Sequence, residues 1–149
     1  MTANAKIYLA SDHAGAELRK AVALHVKTLG FHVTDLGPTD GNSVDYPDYG
    51  EKLALALSED ADARGVAICG SGIGISIAVN RFPWVRAALV STVEAARLSR
   101  EHNDANVIAL GERLISQEMA LSCIDVFLAT DFEGGRHQRR VDKLTKLAL

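Results

Sequence analysis

The chain alternates short apolar runs with longer stretches in which apolar residues recur at helical spacing. The short runs predict buried β-strands, and the amphipathic stretches between them predict α-helices. The expected strands are residues 7–10, 31–36, 66–69, 86–90 and 106–110. The expected helices are residues 16–29, 46–58, 75–80, 91–102, 116–128 and 138–147. This alternation predicts an α/β fold, a three-layer α/β/α sandwich around a five-stranded parallel sheet of Rossmann-like type.

Particular residues mark where several helices begin or end. Gly30 is a stop signal for the first helix, and Pro47 suits the first turn of the second. Ser91 and Glu94 form the pattern of a capping box, in which Ser91 would open the helix that ends near His102. At 149 residues, the chain is expected to form a single domain over residues 1–149.

The most informative segment is residues 69–76, which reads Cys-Gly-Ser-Gly-Ile-Gly-Ile-Ser. An apolar strand precedes it, glycines occupy every second position, and an apolar helix follows. This layout directs several backbone N–H groups into one hollow at the start of a helix, where an anion can bind. A thiolate of Cys69 at the lip of that hollow would be stabilised by the same positive end. The segment therefore predicts a site for acid–base or nucleophilic chemistry on a small molecule.

Other uses of a glycine-rich turn require different residues. A dinucleotide-binding fingerprint has glycines at positions 1, 3 and 6, whereas here they stand at positions 1, 3 and 5. A phosphate-binding P-loop ends in Gly-Lys-Ser/Thr, and a cysteine phosphatase would have an arginine in the loop; the segment contains neither. A tight strand-to-helix turn without any chemical role remains an alternative for the glycines taken alone.

Polar residues follow four of the predicted strands. Asp12 and His13 follow the first strand, Tyr46 follows the loop after the second, Cys69 ends the third, and Arg113 follows the fifth. Because ligands of open α/β sheets bind outside the carboxyl ends of the strands, we expect these residues to converge on one edge of the sheet. Asp12 could act only as a helix N-cap, but capping does not require His13.

Two further arginines and one histidine are also candidates. Arg136 and Arg140 lie one turn apart if their segment is helical, and with Arg113 they could clamp a dianionic phosphate. A solvated basic surface is the alternative for these arginines. His102 ends a predicted helix, where a histidine often only complements the helix dipole.

Composition and charge exclude several classes of protein. The net charge of −3 argues against a nucleic-acid or anionic-membrane partner, although residues 136–140 are locally basic. No apolar run approaches the ~20 residues needed to span a bilayer. Cys69 and Cys123 form no CxxC motif, and two free thiols without a secretory signal favour the cytoplasm. No third ligand accompanies Asp12 and His13 at a known spacing, so we do not expect them to bind a metal.

Three other reactive side chains are expected to have no chemical role. Cys123 lies on the apolar face of its predicted helix and should be inert core. His25 and His32 lie in a helix and a strand, respectively, where the sequence suggests no polar neighbours. We therefore expect both histidines at or near the surface and outside any active site.

Five segments together resemble one family of enzymes. They are residues 12–15 (Asp-His-Ala-Gly), 45–47 (Asp-Tyr-Pro), 69–80, 98–107 and 133–138 (Glu-Gly-Gly-Arg-His-Gln), and they span nearly the whole chain. In this order they resemble the ribose-5-phosphate isomerase type B family, which is shared with galactose-6-phosphate and allose-6-phosphate isomerases. The resemblance implies aldose–ketose isomerisation of ribose 5-phosphate in the pentose phosphate pathway, without metal or organic cofactor.

The resemblance also implies a role for each matching residue. Cys69 would be the base that removes the proton next to the carbonyl, and His102 would assist opening of the furanose ring. Ser71 could relay a proton between the two sugar oxygens. Contacts to the sugar or to the enediolate are implied for Asp12, His13, Tyr46, Gly70, Gly72, Ile73, Gly74 and Asn103. Binding of the phosphate is implied for Arg113, Arg136 and Arg140.

The resemblance bears on assembly and on the choice of base. Family members form dimers, often paired into tetramers, with each site shared between subunits, so a homodimer or homotetramer is implied. Some relatives have serine in place of the base cysteine and use a glutamate of the glycine loop. Here Cys69 is present and Ile73 or a neighbour stands where that glutamate would be, so the cysteine mechanism is the one implied.

Three alternatives remain open at this point. The chain could isomerise a six-carbon sugar phosphate, because the length of the pocket cannot be read from the sequence. It could be a non-catalytic sugar-phosphate sensor on the same fold, although a sensor does not need a thiolate. It could be a nucleotide-binding module, which the glycine spacing disfavours.

Overall fold

The structure, a computed structural model of the chain, describes residue 1 and residues 4–147. The strands are β1 (Lys6–Ser11), β2 (His32–Asp35), β3 (Arg64–Cys69), β4 (Ala87–Leu89) and β5 (Val107–Gly111). The helices are α1 (Ala16–Thr28), α2 (Tyr46–Ser58), α3 (Ile73–Val79), α4 (Val93–Glu101), α5 (Gln117–Ala129) and α6 (Arg136–Thr145). The single-domain prediction for residues 1–149 includes residues 2, 3, 148 and 149, which lie outside the described part. Among the described residues, every helix is too short or too polar to cross a membrane.

All five strands run parallel, in the order β2-β1-β3-β5-β4. The predicted α/β fold with a five-stranded parallel sheet is therefore confirmed. The chain passes from β2 across β1 to β3, so the direction of winding reverses between β1 and β3. Open α/β sheets bind ligands at such a reversal, outside the carboxyl ends of the strands. We call that side of the sheet the carboxyl edge and the opposite side, where the strands begin, the amino edge.

The core has two layers because both faces of the sheet are covered by helices. Successive side chains of a strand point to opposite faces. Val66 and Ile68 of β3 accordingly pack with the buried faces of α1, α4 and α5. Ala67 and Cys69 point to the other face and pack with α2 and α3. Cys69 is the last residue of β3, so it lies at the boundary between this second core layer and the carboxyl edge.

The cap of α4 differs from the prediction. Thr92 is the N-cap, and its side chain accepts a hydrogen bond from Ala95 N at 3.1 Å. The capping box expected from Ser91 and Glu94 is therefore wrong by one residue. Thr and Ser are both good caps, so the local pattern could not decide which of the two adjacent residues would serve.

The ends of α3, of α6 and of all five strands also differ from the prediction by one or two residues. α3 begins at Ile73 rather than at residue 75, and α6 begins at Arg136 rather than at residue 138. Gly134 and Gly135 adopt positive φ angles of 68° and 54°, which let the chain turn directly into α6. Strand ends are set by pairing with neighbouring strands, and apolar patterns alone do not show where that pairing stops.

A buried arginine joins the first helix to the carboxyl edge. Arg19 of α1 is 2% exposed and donates hydrogen bonds to Ser11 Oγ and to the carbonyl of Pro38. Its Nε lies 2.9 Å from Asp35 Oδ1, at an angle too poor for a hydrogen bond. The guanidinium thus holds the end of β1 against the segment that follows β2, next to Asp12.

We predict that Arg19→Met lowers the free energy of unfolding by about 2–4 kcal/mol. Methionine fills much of the volume but leaves the buried Ser11 hydroxyl and the Pro38 carbonyl without their donor, and an unsatisfied buried group costs about 1–3 kcal/mol. Urea unfolding followed by circular dichroism would measure the change. The matched control is Lys20→Met, because Lys20 is the next residue and its side chain is 62% exposed. Equal stabilities of the two variants would contradict this role of Arg19.

Candidate active site

An open cleft of about 500 Å³ lies at the carboxyl edge of the sheet. Its walls come from the loops after β1, β3 and β5 and from the start of α2. The lining residues are Asp12, His13, Ala14, Tyr46, Cys69, Gly70, Ser71, Ile73, Gly74, Arg113 and Leu114. The structure therefore brings together the residues that follow four strands, and it adds Ala14 and Leu114, for which the sequence offered no chemical signal.

Cys69 stands at the inner wall of this cleft. The residue is 4% exposed, and its Sγ accepts a hydrogen bond from Gly72 N at 3.1 Å. Gly72 has a φ of +77°, and a Cβ atom there would lie 2.6 Å from Leu89 Cδ1. Only glycine can therefore take this backbone shape, which aims the amide at the sulfur.

The rest of the glycine turn presents backbone and hydroxyl groups beside the sulfur. Ser71 Oγ accepts from Ile73 N at 3.2 Å. The other first-turn N–H groups of α3, those of Gly74 and Ile75, have no acceptor within their own helix, which leaves them for a ligand. Gly74 faces the ring of Tyr46 so closely that a Cβ atom would lie 2.6 Å from Tyr46 Cε1. The glycine at position 74 is thus what allows Tyr46 to cover this side of the turn.

Asp12 and His13 form another part of the cleft wall. Asp12 Oδ1 accepts from Gly15 N at 3.1 Å, so Asp12 caps a short 3₁₀ turn that leads into α1. Asp12 N donates to Ile68 O at 3.2 Å, which fixes the loop against β3. His13 Nδ1 lies 3.1 Å from both the N and the O of Val44. Because Val44 offers a donor and an acceptor to the same ring nitrogen, this contact holds His13 in place in either tautomer.

Arg113 supplies a guanidinium to the cleft. Arg113 N donates to Gly70 O at 2.9 Å, and Glu112 N donates to Cys69 O at 3.0 Å, so the loop after β5 continues beside the glycine turn. A Cβ atom on Gly70 would lie 3.1 Å from Arg113 Nη1. The guanidinium therefore lies directly over Gly70, within reach of an anion in the cleft.

The remaining predicted site residues lie at the opposite edge of the same chain. His102 is the C-cap of α4, which runs from the carboxyl edge back to the amino edge before β5 begins. Nine helical residues span about 13 Å. Asn103 lines a separate cavity beside Ala88 and Leu144. A hydrogen bond from Glu133 N to Glu101 O, 3.1 Å long, brings the segment before α6 to the same edge.

We call this group of residues the amino-edge cluster, and it consists of His102, Glu133, Arg136, His137 and Arg140. The rings of His102 and His137 are stacked with centroids 4.3 Å apart and planes 13° from parallel. His102 Nε2 lies 3.9 Å from Glu133 Oε1, and Arg136 Nε donates to His137 Nε2 at 3.4 Å. Burial lowers the pKa of His137, and the charges of His102 and Arg136 lower it further.

The sequence assigned no role to Glu133 or His137. Both belong to residues 133–138, which helped to carry the resemblance, and His137 directly follows Arg136. A histidine next to an arginine candidate was the available signal. The sequence could not show that the end of α4 and the start of α6 meet in space. That meeting stacks the ring of His137 on the ring of His102.

The amino-edge cluster contains a set of possible metal ligands. One ligand atom each from His102, Glu133 and His137 lies within 4.8 Å of the others. Two imidazoles bind one metal ion when their in-plane lone pairs converge, whereas the two rings here are nearly parallel. One nitrogen of His137 is also occupied by Arg136. The geometry fits a stacked pair of rings better than a metal centre.

A larger cavity of about 710 Å³ lies at the amino edge. Many of its lining side chains are charged, and several of them form ion pairs. Arg86 and Arg100 both bind Asp104, with nitrogen–oxygen distances of 3.4 Å and 2.9 Å. Burial, together with the charge of Arg100, lowers the pKa of Arg64 to about 10. The cavity is lined by neither cysteine nor histidine among the described residues. The cleft at the carboxyl edge is therefore the better candidate for the chemistry.

The other histidines and the second cysteine lie outside both groups. His25 is not without polar neighbours as expected, because its Nε2 contacts Asp125 Oδ1 at 2.5 Å. These residues are far apart in sequence, so only the packing of α1 against α5 brings them together. His32 is exposed on β2. Cys123 is fully buried, and burial raises the pKa of its thiol.

Comparisons with known proteins point to one family. A family model described as Ribose/Galactose Isomerase matches residues 7–144. The chain is 41% identical over 142 residues to the ribose-5-phosphate isomerase B of Escherichia coli, a match that covers 95% of both chains.

Solved structures of similar proteins share the fold closely. The structure of Clostridium thermocellum ribose-5-phosphate isomerase B superimposes with a TM-score of 0.92 at 47% identity and covers 95% of both chains. The structure of Mycoplasma genitalium ribose-5-phosphate isomerase B with bound ribulose-5-phosphate also has a TM-score of 0.92, at 41% identity. That match covers 95% of this chain and 94% of the other.

Proposed function

The chain belongs to the ribose/galactose isomerase family, as its motifs predict, and we propose that it interconverts ribose 5-phosphate and ribulose 5-phosphate through an enediolate. The observation that carries this proposal is the position of Cys69. Its sulfur receives an amide hydrogen bond, and it opens onto a cleft that also holds His13 and Arg113. A base, an amide cradle and a cation in one cleft are the groups that proton abstraction next to a carbonyl requires.

In the proposed reaction, Cys69 takes the proton from C2 of the open aldose. The electron pair of the C–H bond moves into the C1–C2 bond, and negative charge develops on the oxygens of the enediolate. Backbone N–H groups of residues 70–74 would stabilise that charge, and losing one such donor typically costs about 3 kcal/mol of transition-state stabilisation. Ser71 could move a proton between the two oxygens. The thiol of Cys69 then returns its proton to C1, which gives the ketose without net loss of atoms.

The amino-edge cluster would complete the site from a second copy of the chain. Within one subunit, His102, Arg136 and Arg140 lie at the edge opposite Cys69, so they cannot contact the same small sugar. A homodimer, alone or paired into a tetramer, would bring one subunit's amino-edge cluster to the other's cleft. His102 would then assist ring opening, Asn103 would line the site, and Arg113, Arg136 and Arg140 would hold the phosphate.

Exposed apolar residues around the cleft support such an assembly. Ile73 and Leu114 of the cleft wall are 50% and 66% exposed, and Ile77, one turn after Ile73, is 60% exposed. Adjacent exposed apolar side chains of this size commonly mark surfaces that another protein covers. A second subunit packed here would bury them and narrow the mouth of the cleft.

The five-carbon substrate is favoured over a six-carbon one by the relatives. The Mycoplasma genitalium protein has ribulose-5-phosphate bound, whereas the family description includes both ribose and galactose isomerases. Isomerisation of allose 6-phosphate or galactose 6-phosphate remains the alternative. The proposal places the reaction in the pentose phosphate pathway and in a reducing compartment such as the cytoplasm, where Cys69 and Cys123 would stay as free thiols.

We predict that Cys69→Ala lowers kcat for ribose 5-phosphate by about 10³-fold, because a positioned general base contributes about 10²–10⁴-fold. Binding of the sugar phosphate should remain, since the phosphate contacts do not involve the sulfur. A coupled assay of ribulose 5-phosphate formation and calorimetric titration would measure the two effects.

The matched control for this variant is Cys123→Ala, which makes the same chemical change in the core of α5. It should retain near-normal turnover. If Cys69→Ala also kept near-normal turnover, Cys69 would not be the base. If the wild-type protein converted allose 6-phosphate faster than ribose 5-phosphate, the five-carbon assignment would be wrong.

We predict that two strongly impaired variants recover activity when they are mixed. Cys69→Ala lacks the base, and His102→Asn lacks the ring-opening group, but a heterodimer of the two has one site in which both residues are intact. Random exchange of subunits makes half of the dimers mixed, each with one working site, so roughly a quarter of wild-type activity should return. The assay is turnover after subunit exchange in mild denaturant. Mixtures that stay as slow as the separate variants would argue that each site is built from one chain.

A further inference from the structure

We infer that His137 is a positioning residue that joins the proposed phosphate-binding Arg136 to the proposed ring-opening His102. This inference rests on the proposed function, in which both of those residues contact the substrate. The side chain of His137 makes two different contacts, one through its ring face and one through its ring edge. Its face stacks on His102 with centroids 4.3 Å apart, and its Nε2 accepts from Arg136 Nε at 3.4 Å.

The backbone around His137 fixes this arrangement. Glu133 N donates to Glu101 O at 3.1 Å, which ties the segment before α6 to the last turn of α4. Gly134 and Gly135 then turn the chain with positive φ angles, and His137 N donates to Gly134 O at 3.0 Å. The ring of His137 is consequently buried, at 8% exposure, whereas the side chain of His102 is 37% exposed. His137 is the fixed member of the pair, and His102 is the member that a substrate can reach.

The protonation state of His137 is set by the groups around it. Burial disfavours its charged form, and the neighbouring charges of His102, Arg136 and Arg140 act in the same direction, while Glu133 opposes them. These causes together lower the pKa of His137, so its ring is neutral near pH 7. A neutral ring can accept the N–H of Arg136 at Nε2 only if its own proton is on Nδ1.

A neutral His137 ring is a suitable stacking partner for His102, which gains and loses a proton in the proposed reaction. Two stacked imidazolium ions would repel each other, whereas a neutral ring can stack on His102 whether or not His102 is charged. The stack also limits the rotation of the half-exposed His102 ring. Small errors in the position of a proton-transfer group cost large factors in rate, so a fixed platform has a direct effect on turnover.

Two variants separate the two contacts of His137. His137→Phe keeps a stacking ring but removes the acceptor for Arg136, so kcat should stay within about twofold while KM for ribose 5-phosphate rises about threefold. His137→Asn keeps a polar group but removes the stack, so kcat should fall about tenfold. His32→Phe and His32→Asn are the matched controls, because His32 is exposed on β2 and outside both parts of the site.

A double-mutant cycle distinguishes positioning from an independent role. If His137 acts through His102, the double variant His102→Asn/His137→Asn should be no slower than His102→Asn alone. Losses that multiply, or a kcat that falls equally in His137→Phe and His137→Asn, would overturn the inference. Circular dichroism spectra identical to those of the wild type would show that the variants fold.

A nuclear magnetic resonance titration tests the same inference without any enzyme assay. The Cε1 proton of His137 should titrate with a midpoint below the usual value for histidine, near 6.5, and His102→Asn should move that midpoint upward. A midpoint at or above the usual value would overturn the inference that His137 stacks on His102 as a neutral ring. A wild-type protein without isomerase activity would instead reject the proposed function, while the titration would still report on the stack.

Discussion

The parallel direction of all five strands is the constraint on which the rest of this structure depends. Because every strand ends at the same edge, the loops after β1, β3 and β5 meet there and build one cleft. The same constraint sends every connecting helix back to the opposite edge. Residues at the ends of α4 and α5 are therefore separated from the cleft by the length of the sheet. Under the proposed function, one chain holds two incomplete groups of functional residues, and a small sugar would contact both only between two subunits.

The cleft itself depends on backbone shape more than on side chains. The positive φ of Gly72 turns an amide toward the Cys69 sulfur, and a side chain at position 72 would collide with Leu89. The absent side chain at position 74 makes room for Tyr46. Each of these glycines is required for a stated contact. The amide hydrogen bond to the Cys69 sulfur is thus a consequence of how the turn after β3 can be built.

Much of the fold and about half of the site followed from the sequence. Five apolar runs and the helices between them predicted the parallel sheet, and the rule for carboxyl ends predicted the meeting of Asp12, Cys69 and Arg113. The same reasoning could have placed His102 at the opposite edge, since it ends a helix. Long-range packing supplied what local patterns could not, including the stack of His102 on His137 and the contact of His25 with Asp125. The choice of Thr92 over Ser91 as a cap shows the same limit at the scale of one residue.

The central claim is that one substrate molecule is held between two subunits, with its reacting carbons at Cys69 of one subunit and its phosphate bound in part by Arg136 of the other. A crystal structure of the wild-type protein with ribulose 5-phosphate would test it most directly. We predict that C1 or C2 lies within about 3.5 Å of Cys69 Sγ in one subunit, while the phosphate contacts Arg136 of the partner subunit. A substrate held entirely by one chain, or reacting carbons far from the sulfur, would contradict the account.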